Sequence, residues 1–519
     1  MNKQPRPRPF SQIGAAKPSY SIFNLSYEKK FTCDMGQLIP VVCDECVPGD
    51  FWKIGNNSLV RFNPMVAPVL HEVKVLTDYF FVPYRILWNE WEDFYTRGKD
   101  GKLEVPLPKW NPTKNSKGSL WDFLGLPIDV DPKGAYPVDF IRRAYNLIYN
   151  EYYRDETLTD EVSLANEDIL NCSWQKDYFS SALPWQQRGD PIAVPLTGYA
   201  SAYWDNDVTL TFRGDDADGQ LYATKESGTN VPVQASSSAL GRNKVLVARA
   251  NYLEGVTKST FLNTNVVDVS NIATFNINEL RFAFQLQKYL ERGARGGYRY
   301  IEQLKSRFGV HPRDDRLSRP EYIGGTRSPV WFSEVLQTSS SDDTTPQGNM
   351  SGHGITNPAG FAGRYRVQEF GLIVGIMRVR PAPSYQQGIN RQWLKDVVED
   401  FYSPEFANLG EQDIKVAEIY ASNVEAENID IFGFQGRWDE LRYKPNMVCS
   451  DMRDVFNYWH LGRIFNSRPY LNAEFVECRP SKRIFAVQNV PGLIVSYGNV
   501  LTAARPLPVI SEPGLIDHH

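Results

Sequence analysis

Apolar and polar positions along the chain change period several times, and each change predicts an element. From Tyr20 the residues alternate, then pass two Pro/Gly turns into VLHEVKVLTDYFFVPYRILW. In Val69–Val75 the side chains of Val69, Val73 and Val75 share one parity with His71, which predicts a half-buried strand. The following YFFVP (79–83) is continuously apolar and suits a strand covered on both faces. Residues 96–137 carry Gly, Pro and Lys without period and are expected to form a long loop region. A helix is predicted over Asp139–Tyr153, where Phe140, Ile141, Ala144, Tyr145, Ile148, Tyr149 and Tyr152 make one stripe. Two more helices are predicted at Asn278–Arg292 and Arg299–Phe308, the second stopped by Gly309. The GARGGYR that joins them follows no strand, so its glycines read as a helix terminator rather than a phosphate loop.

Residues 199–270 differ in character. VTLTF, DDADG and QLYAT (208–224) predict a β-hairpin with Asp218-Gly219 in the turn. The same stretch imitates a calcium loop, but Gly214 and Lys225 would occupy the first and twelfth ligand positions. More short strands follow, and the whole reads as a β-rich insertion. After Gly309 strand-like runs return at VQEFGLIVGIMRV (367–379), VAEIYA (416–421), NAEFVE (472–477), RIFAVQ (483–488) and PGLIVSYGNVLTA (491–503). One helical piece is expected at Asp451–His460. Strands near both ends with helices and loops between them predict one β-sandwich with large insertions, not alternating βα units.

Composition narrows the reading. The 519 residues suffice for a large core and, by length alone, for two to four domains. They include 37 Gly and 34 Pro in a chain that is 13% aromatic, which favours short strands and long ordered loops. The start MNKQPRPRPF lacks the apolar run of a secretory signal, and Phe370–Met377 is too short to span a bilayer, so a soluble protein without membrane insertion is expected. Residues 1–18 form a Pro-rich basic arm bearing Lys3, Arg6, Arg8 and Lys17, extended and mobile unless a partner pins it. The net charge of −5 means that any nucleic-acid contact is local, and it argues against a monomeric single-strand binder.

Candidate chemistry is sparse. Cys43 and Cys46 have C-x-x-C spacing, but no second pair follows at zinc spacing, and Pro48-Gly49-Asp50 demands a turn where a redox motif needs a helix. They read as small reduced side chains beside a strand edge. Trp88, Glu90, Trp91 and Glu92 imitate a glycan cleft, which keeps open a β-sandwich carbohydrate-binding or glycan-active protein. The plainer reading is a solvated helix face with its tryptophans inside. No nucleophile, base and orienter assemble, so no catalytic residue, metal or cofactor is expected. Arginine and aromatic residues concentrate in RYRV, GRWDELRYKP, YWHLGRIF and NSRPYLNAEF, a composition that favours contact with other chains.

Several ordered stretches resemble one family. They include GQLIPVVCDECVPGD (36–50), YFFVPYRILWNEWEDF (79–94), ERGARGGYRYIEQLKSRFGV (291–310), RPEYIGGTR (319–327), SYQQGINRQW (384–393), DFYSPEFANLGEQ (400–412) and ARPLPVISEPGLIDH (504–518). Together they resemble the major capsid proteins of the microviruses, of the gokushovirus branch. The resemblance implies a mainly β fold, an eight-stranded antiparallel jelly roll with large loop and helical insertions over 19–519. It implies a T=1 icosahedral shell built of this chain, assembled in the host cytoplasm around circular single-stranded DNA. Scaffolding, DNA pilot and small DNA-binding proteins are the implied phage partners. Residues 199–270 match the family's variable insertion, which implies threefold protrusions and host attachment; Trp204, Asp216, Asp218, Gly219 and Tyr222 are the candidates there. For the DNA, Lys3, Arg6, Arg8 and Lys17 are the candidates, and an arm that ties neighbouring subunits together is the competing role.

Overall fold

The computed structural model describes residues 19–97, 103–187, 189, 212–214, 221–224, 230–233, 277–295, 318–336 and 350–510. The chain divides into two compact units, residues 187–298 and the remainder. In the larger unit, the first sheet has seven strands: β1 (Ser21–Asn24), β2 (Tyr27–Cys33), β4 (Phe51–Phe62), β10 (Trp331–Leu336), β11 (Met350–Thr356), β12 (Ala359–Arg366) and β18 (Leu493–Arg505). The second has four: β3 (Ile39–Cys46), β13 (Gly371–Pro381), β5 (Val73–Pro83) and β9 (Glu321–Pro329), in that spatial order. All pairings in both are antiparallel. Two-stranded pieces β14 (Ser384–Tyr385) with β17 (Asn446–Met447), and β15 (Glu411–Lys415) with β16 (Ile431–Gly436), lie in the connections. In the smaller unit β6 (Phe212–Gly214), β7 (Leu221–Thr224) and β8 (Asn230–Val233) form an antiparallel sheet, and a helix runs Ile277–Arg295.

Period-2 patterning builds the sandwich. Along β18 Leu493, Val495, Tyr497, Leu501 and Ala503 are buried, while Ile494 and Val500 between them are exposed. On β4 Trp52, Ile54, Val60 and Phe62 turn inward and Lys53, Leu59 and Arg61 outward. These inner faces meet Val41 of β3, Val75, Tyr79 and Phe81 of β5, and Ile373, Met377 and Val379 of β13 in one core. Two tyrosines bridge the sheets within it: the Tyr79 and Tyr497 hydroxyls lie 3.0 Å apart, and Tyr497 donates to Thr77 Oγ1 at 3.0 Å. Buried hydroxyls thus satisfy one another where no water reaches.

The second sheet is covered on its other face as well. Leu38, Phe80, Val82, Leu372, Val374 and Ile376 pack against Trp110, Trp121, Phe140, Tyr145 and Ile148. The continuously apolar YFFVP is therefore a two-faced strand, as its composition predicts. The predicted helix over 139–153 is present as an α-helix Phe140–Ile148 that widens into a π-turn at Tyr149–Tyr153. A third apolar cluster, with Tyr178, Phe179, Ile414, Val416, Ile419 and Phe432, joins the later connections.

Five expectations fail on short or irregular segments. VAEIYA holds a 3-10 turn at Val416–Glu418, NAEFVE a helix at Ala473–Val476, and RIFAVQ a 3-10 turn at Lys482–Ile484. Asn472 decides the second: its side chain accepts the Phe475 amide at 2.9 Å, a helix N-cap. Runs of six apolar-rich residues do not distinguish strand from helix by period. Asp451–His460 falls in two 3-10 turns, Ser450–Arg453 and Asn457–Trp459, not one helix, and Ser450 at the start of the first is in the left-handed region. The strand expected from Val69 begins at Val73, because the Leu70 amide is taken by the Trp459 carbonyl. Of the predicted hairpin, β6 and β7 pair with Gly214 opposite Leu221, while Asp218-Gly219, the helix at 299–308 and the remaining short strands of 199–270 lie outside the described residues.

Two carboxylates anchor the loops to these layers. At the turn Val47-Pro48-Gly49-Asp50, Gly49 has φ +97°, and a Cβ there would sit 2.8 Å from the Tyr20 hydroxyl. The wholly buried Asp50 accepts from the Val47 amide at 3.1 Å and from Trp52 Nε1 at 3.3 Å. It also meets Arg505 at 3.1 Å, tying the β3–β4 turn to the end of β18. Asp50→Ala leaves that arginine without its carboxylate and is expected to cost about 3 kcal/mol, read as a lower urea midpoint with the slope unchanged.

Glu167 holds the 103–137 loop. It accepts from Trp110 Nε1 (2.9 Å), the Thr113 amide (2.9 Å) and hydroxyl (2.8 Å), the Lys114 amide (2.7 Å) and Arg142 (3.2 Å). Burial pushes its carboxyl up, but the bonds from Trp110, Thr113 and Lys114 outweigh this and hold it below the ordinary range. Its stabilisation is complete above the unfolded-state value of about 4.3 and is lost as the pH falls through the lower folded-state value. Urea midpoints measured from pH 7 to 3 are expected to fall less steeply for Glu167→Gln than for the parent.

Candidate functional site

The cysteine pair that opens the chemical question is split by the pleat. Cys43 and Cys46 are both on β3, an edge strand, three residues apart and so on opposite faces. Cys46 enters the core between the sheets, and Cys43 packs against the second cluster on the other side. One ion or one disulfide cannot serve both. Burial pushes the Cys43 thiol up to about 12 and the Cys46 thiol higher still, with nearby Asp44 and Asp50 adding to the effect. The described residues hold no group of three or more His, Cys, Asp or Glu arranged for a metal. Intact protein at pH 8 is expected to take up iodoacetamide at the exposed Cys449 and not at Cys43 or Cys46; peptide mass spectrometry reads the difference.

The glycan-cleft imitation also dissolves. Trp88 and Trp91 pack on the covering layer, Trp91 against Tyr84 at 4.8 Å and Phe140 at 5.9 Å, while Glu90 and Glu92 face outward. No paired carboxylates flank a sugar-sized slot there.

Arginines in the long loops mostly hold the chain to itself. Arg463 lies 4.0 Å from the Phe475 ring centre and donates to the Phe475 carbonyl at 2.7 Å. It lines a cavity of about 560 Å³ beneath residues 461–483. Around the same cavity Arg468 bonds Asp430, Arg479 bonds Glu477, and Arg483 donates to the carbonyls of Asn457, His460 and Gly462. YWHLGRIF and NSRPYLNAEF therefore serve internal packing first.

RYRV does not. Arg364 and Arg366 stand on β12 beside β4, with Arg364 opposite Lys53 and Arg366 opposite Phe51. By the strand alternation these four side chains share the outward face of the first sheet with Arg61 on β4 and Lys30 on β2. Its described carboxylate is Glu28, already bonded to Lys30 and the Ser496 hydroxyl. Lys53, Arg61, Arg364 and Arg366 form no ion pair among the described residues. Apolar residues stand among the cations and the polar Asn57, Ser496 and Thr502 on this face: Phe51, Leu59, Phe361, Ile494 and Val500 are exposed, Phe361 by 56%. Arg364 lies 5.9 Å from the Phe361 ring centre. Such a surface performs no reaction; it attracts a polyanion and offers ring faces.

Sequence reasoning singled out the arginines of RYRV and missed Lys53 and Arg61. The signal was present in FWKIGNNSLVRF (51–62), whose strict alternation puts Phe51, Lys53, Leu59 and Arg61 on one side. The DNA candidates Lys3, Arg6, Arg8 and Lys17 lie outside the described residues, as do Trp204, Asp216, Asp218 and Gly219. Tyr222 falls on β7, opposite Arg213.

A sandwich of antiparallel sheets agrees with what the whole chain is similar to. A family model described as capsid protein (F protein) matches residues 11–515. The chain belongs to that phage capsid family. It is 31% identical to "Capsid protein VP1" of Chlamydia phage 1, over 98% of this chain and 97% of that protein. It is 32% identical to "Capsid protein VP1" of Bdellovibrio phage phiMH2K and 31% to that of Spiroplasma virus 4, with 97% and 93% of each chain covered. The family is one of virion structural proteins, not enzymes. No described helix is long and apolar enough to cross a membrane.

Proposed function

We propose that this capsid protein closes, in many identical copies, a T=1 icosahedral shell around a circular single-stranded DNA genome, after assembly in the host cytoplasm. Strand order is the observation that carries the reading. Consecutive strands β2, β3, β4 and β5 alternate between the two sheets, β9 stays beside β5, and β12, β13 and β18 alternate again. The neighbour order β2-β18-β4-β12 in the first sheet and β3-β13-β5-β9 in the second supports reading these eight strands as a jelly roll, with β1, β10 and β11 added to the first sheet. End-to-end similarity to capsid proteins supports the same reading. Exposed Trp393, Val398, Phe401 and Tyr402 in one connection supply apolar area of the kind that heterologous contacts between copies bury.

In this reading residues 199–270 form protrusions at the threefold axes and attach to a host-cell receptor through Trp204, Asp216, Asp218, Gly219 and Tyr222. The basic arm, through Lys3, Arg6, Arg8 and Lys17, tracks the DNA or ties subunits together. Internal scaffolding, DNA pilot and small DNA-binding proteins complete the particle. The test is assembly and adsorption. Protein produced with its phage partners is expected to sediment as megadalton shells in both parent and W204A/D216A/D218A/Y222A forms, and only the parent to adsorb to host cells. A monomer that binds or cleaves glycans under the same conditions overturns the capsid role, and equal adsorption by the two forms overturns the attachment assignment.

A further inference from the structure

We infer that Cys172 and Cys478 are a covalent-modification site: a hydroperoxide oxidises them to a disulfide that staples the layer over the second sheet to the 472–478 segment. The chemistry stands apart from the capsid reading and needs no assembly.

Register brings the two sulfurs together. Ser173 and Glu477 are antiparallel bridge partners, flanked by bonds from the Trp174 amide to the Val476 carbonyl and from the Cys478 amide to the Cys172 carbonyl, both 2.8 Å. Cys172 therefore stands directly opposite Cys478, with both side chains on one face. Residues opposed at such a hydrogen-bonded position have Cα atoms about 5.5 Å apart, inside the roughly 4.4–6.8 Å that a disulfide spans. Neighbouring contacts fix the register. Asn171 donates to Glu477 at 2.8 Å, and the Cys172 amide to the Gly36 carbonyl at 2.8 Å. Gly36 has φ +89°, and a Cβ there would overlap the Cys478 carbonyl oxygen, so Cys478 is pressed against bare backbone.

The surroundings make the pair unequal. Both cysteines are buried in the second apolar cluster, yet Cys172 also lines a cavity of about 410 Å³ with Asp78, Tyr153, Lys176 and Arg378. Hydrogen bonding by the Cys478 thiol, with Arg378 and Arg380 nearby, holds the Cys172 thiol below its ordinary range against the opposing effect of burial. Burial first, and Cys172 second, push the Cys478 thiol well above that range. Cys172 is thereby the attacking sulfur and Cys478 the resolving one. Two thiols alone do not complete a zinc site, and the described residues group no third His, Cys, Asp or Glu with them.

With hydrogen peroxide the Cys172 thiolate attacks one oxygen; the S–O bond forms, the O–O bond breaks, and the leaving hydroxide takes up a proton as water. Cys478 then loses its proton and its sulfur attacks Cys172. The S–S bond forms, the S–O bond breaks, and a second water leaves. The two thiols are oxidised by two electrons and the peroxide is reduced to two waters. Cytoplasmic thiols are kept reduced, so the bond is expected to form in oxidising surroundings. It closes a loop of about 300 residues, a length at which a cross-link removes much of the unfolded chain's freedom.

The experiment treats the purified full chain, in a C449S background that removes the exposed thiol, with hydrogen peroxide. Two of the five remaining thiols are expected to disappear. Non-reducing peptide mass spectrometry is expected to show a 172–478 cross-link lighter by two hydrogens. The urea midpoint is expected to rise, and dithiothreitol to reverse the rise. C449S/C478S is expected to stop at a Cys172 sulfenic acid that dimedone labels, and C449S/C172S to give neither cross-link nor label at Cys478. Folded C449S protein whose Cys172 and Cys478 both stay free under peroxide overturns the inference, with no further variant required to fold. A cross-link that appears only in urea overturns it too, because chance pairing in an unfolded chain accounts for it. Dimedone labelling of Cys478 as fast as of Cys172 overturns the assigned order of attack.

Discussion

The sandwich has one sheet with two faces to hide and another with only one. On β5 the residues Tyr79, Phe80, Phe81 and Val82 are all buried, and β13 is buried from Gly371 to Met377. A strand that is apolar on both sides requires a layer on each. The inner layer is the first sheet. The outer one is the connection from β5 to β9, which contributes Trp110, Trp121, Phe140, Tyr145 and Trp174 to one cluster. Long insertions are in that sense an obligation of the second sheet, not an ornament on a finished fold.

Carboxylates and arginines then lock the added layers. Asp139 bonds both Arg142 and Arg143 at the start of the helix, and Arg142 continues to Glu167. Arg378 pairs with Asp78 on adjacent strands and lies 4.9 Å from the Tyr153 ring centre. Arg391 and Tyr178 meet on the buried Glu418 at 2.8 and 3.0 Å. Arginine suits such places because its planar fork satisfies several acceptors and stacks on rings at once. Among the described residues, Lys53, Arg61, Arg364 and Arg366 on the outward face of the first sheet have no such internal carboxylate. The same asymmetry of burial that shapes the fold thus sorts its charges.

Legibility followed length and period. Long runs with a sustained pattern were readable: YFFVP as a two-faced strand, 139–153 as an amphipathic helix, PGLIVSYGNVLTA as a strand, Pro48-Gly49-Asp50 as a turn. Six-residue runs were not, because VAEIYA and NAEFVE carry apolar residues at spacings that serve either element, and neighbours such as Arg391 on Glu418 settle which forms. The fate of C-x-x-C was half legible. Its turn argued against a helix, but only the pleat of β3 shows that the two thiols face different clusters.

The sequence by itself determined the alternation of the strands, the placement of the tight turns and, through many ordered motifs, membership of a capsid family. These are local properties or sums of local properties, so they survive without a partner strand. The exposed basic face is different in kind. Lys53 and Arg364 become neighbours only through the pairing of β4 with β12, and a shift of one residue in that register would turn one of them into the core. Register between distant strands is chosen by the burial of whole faces at once, and that choice exists only in the folded sandwich.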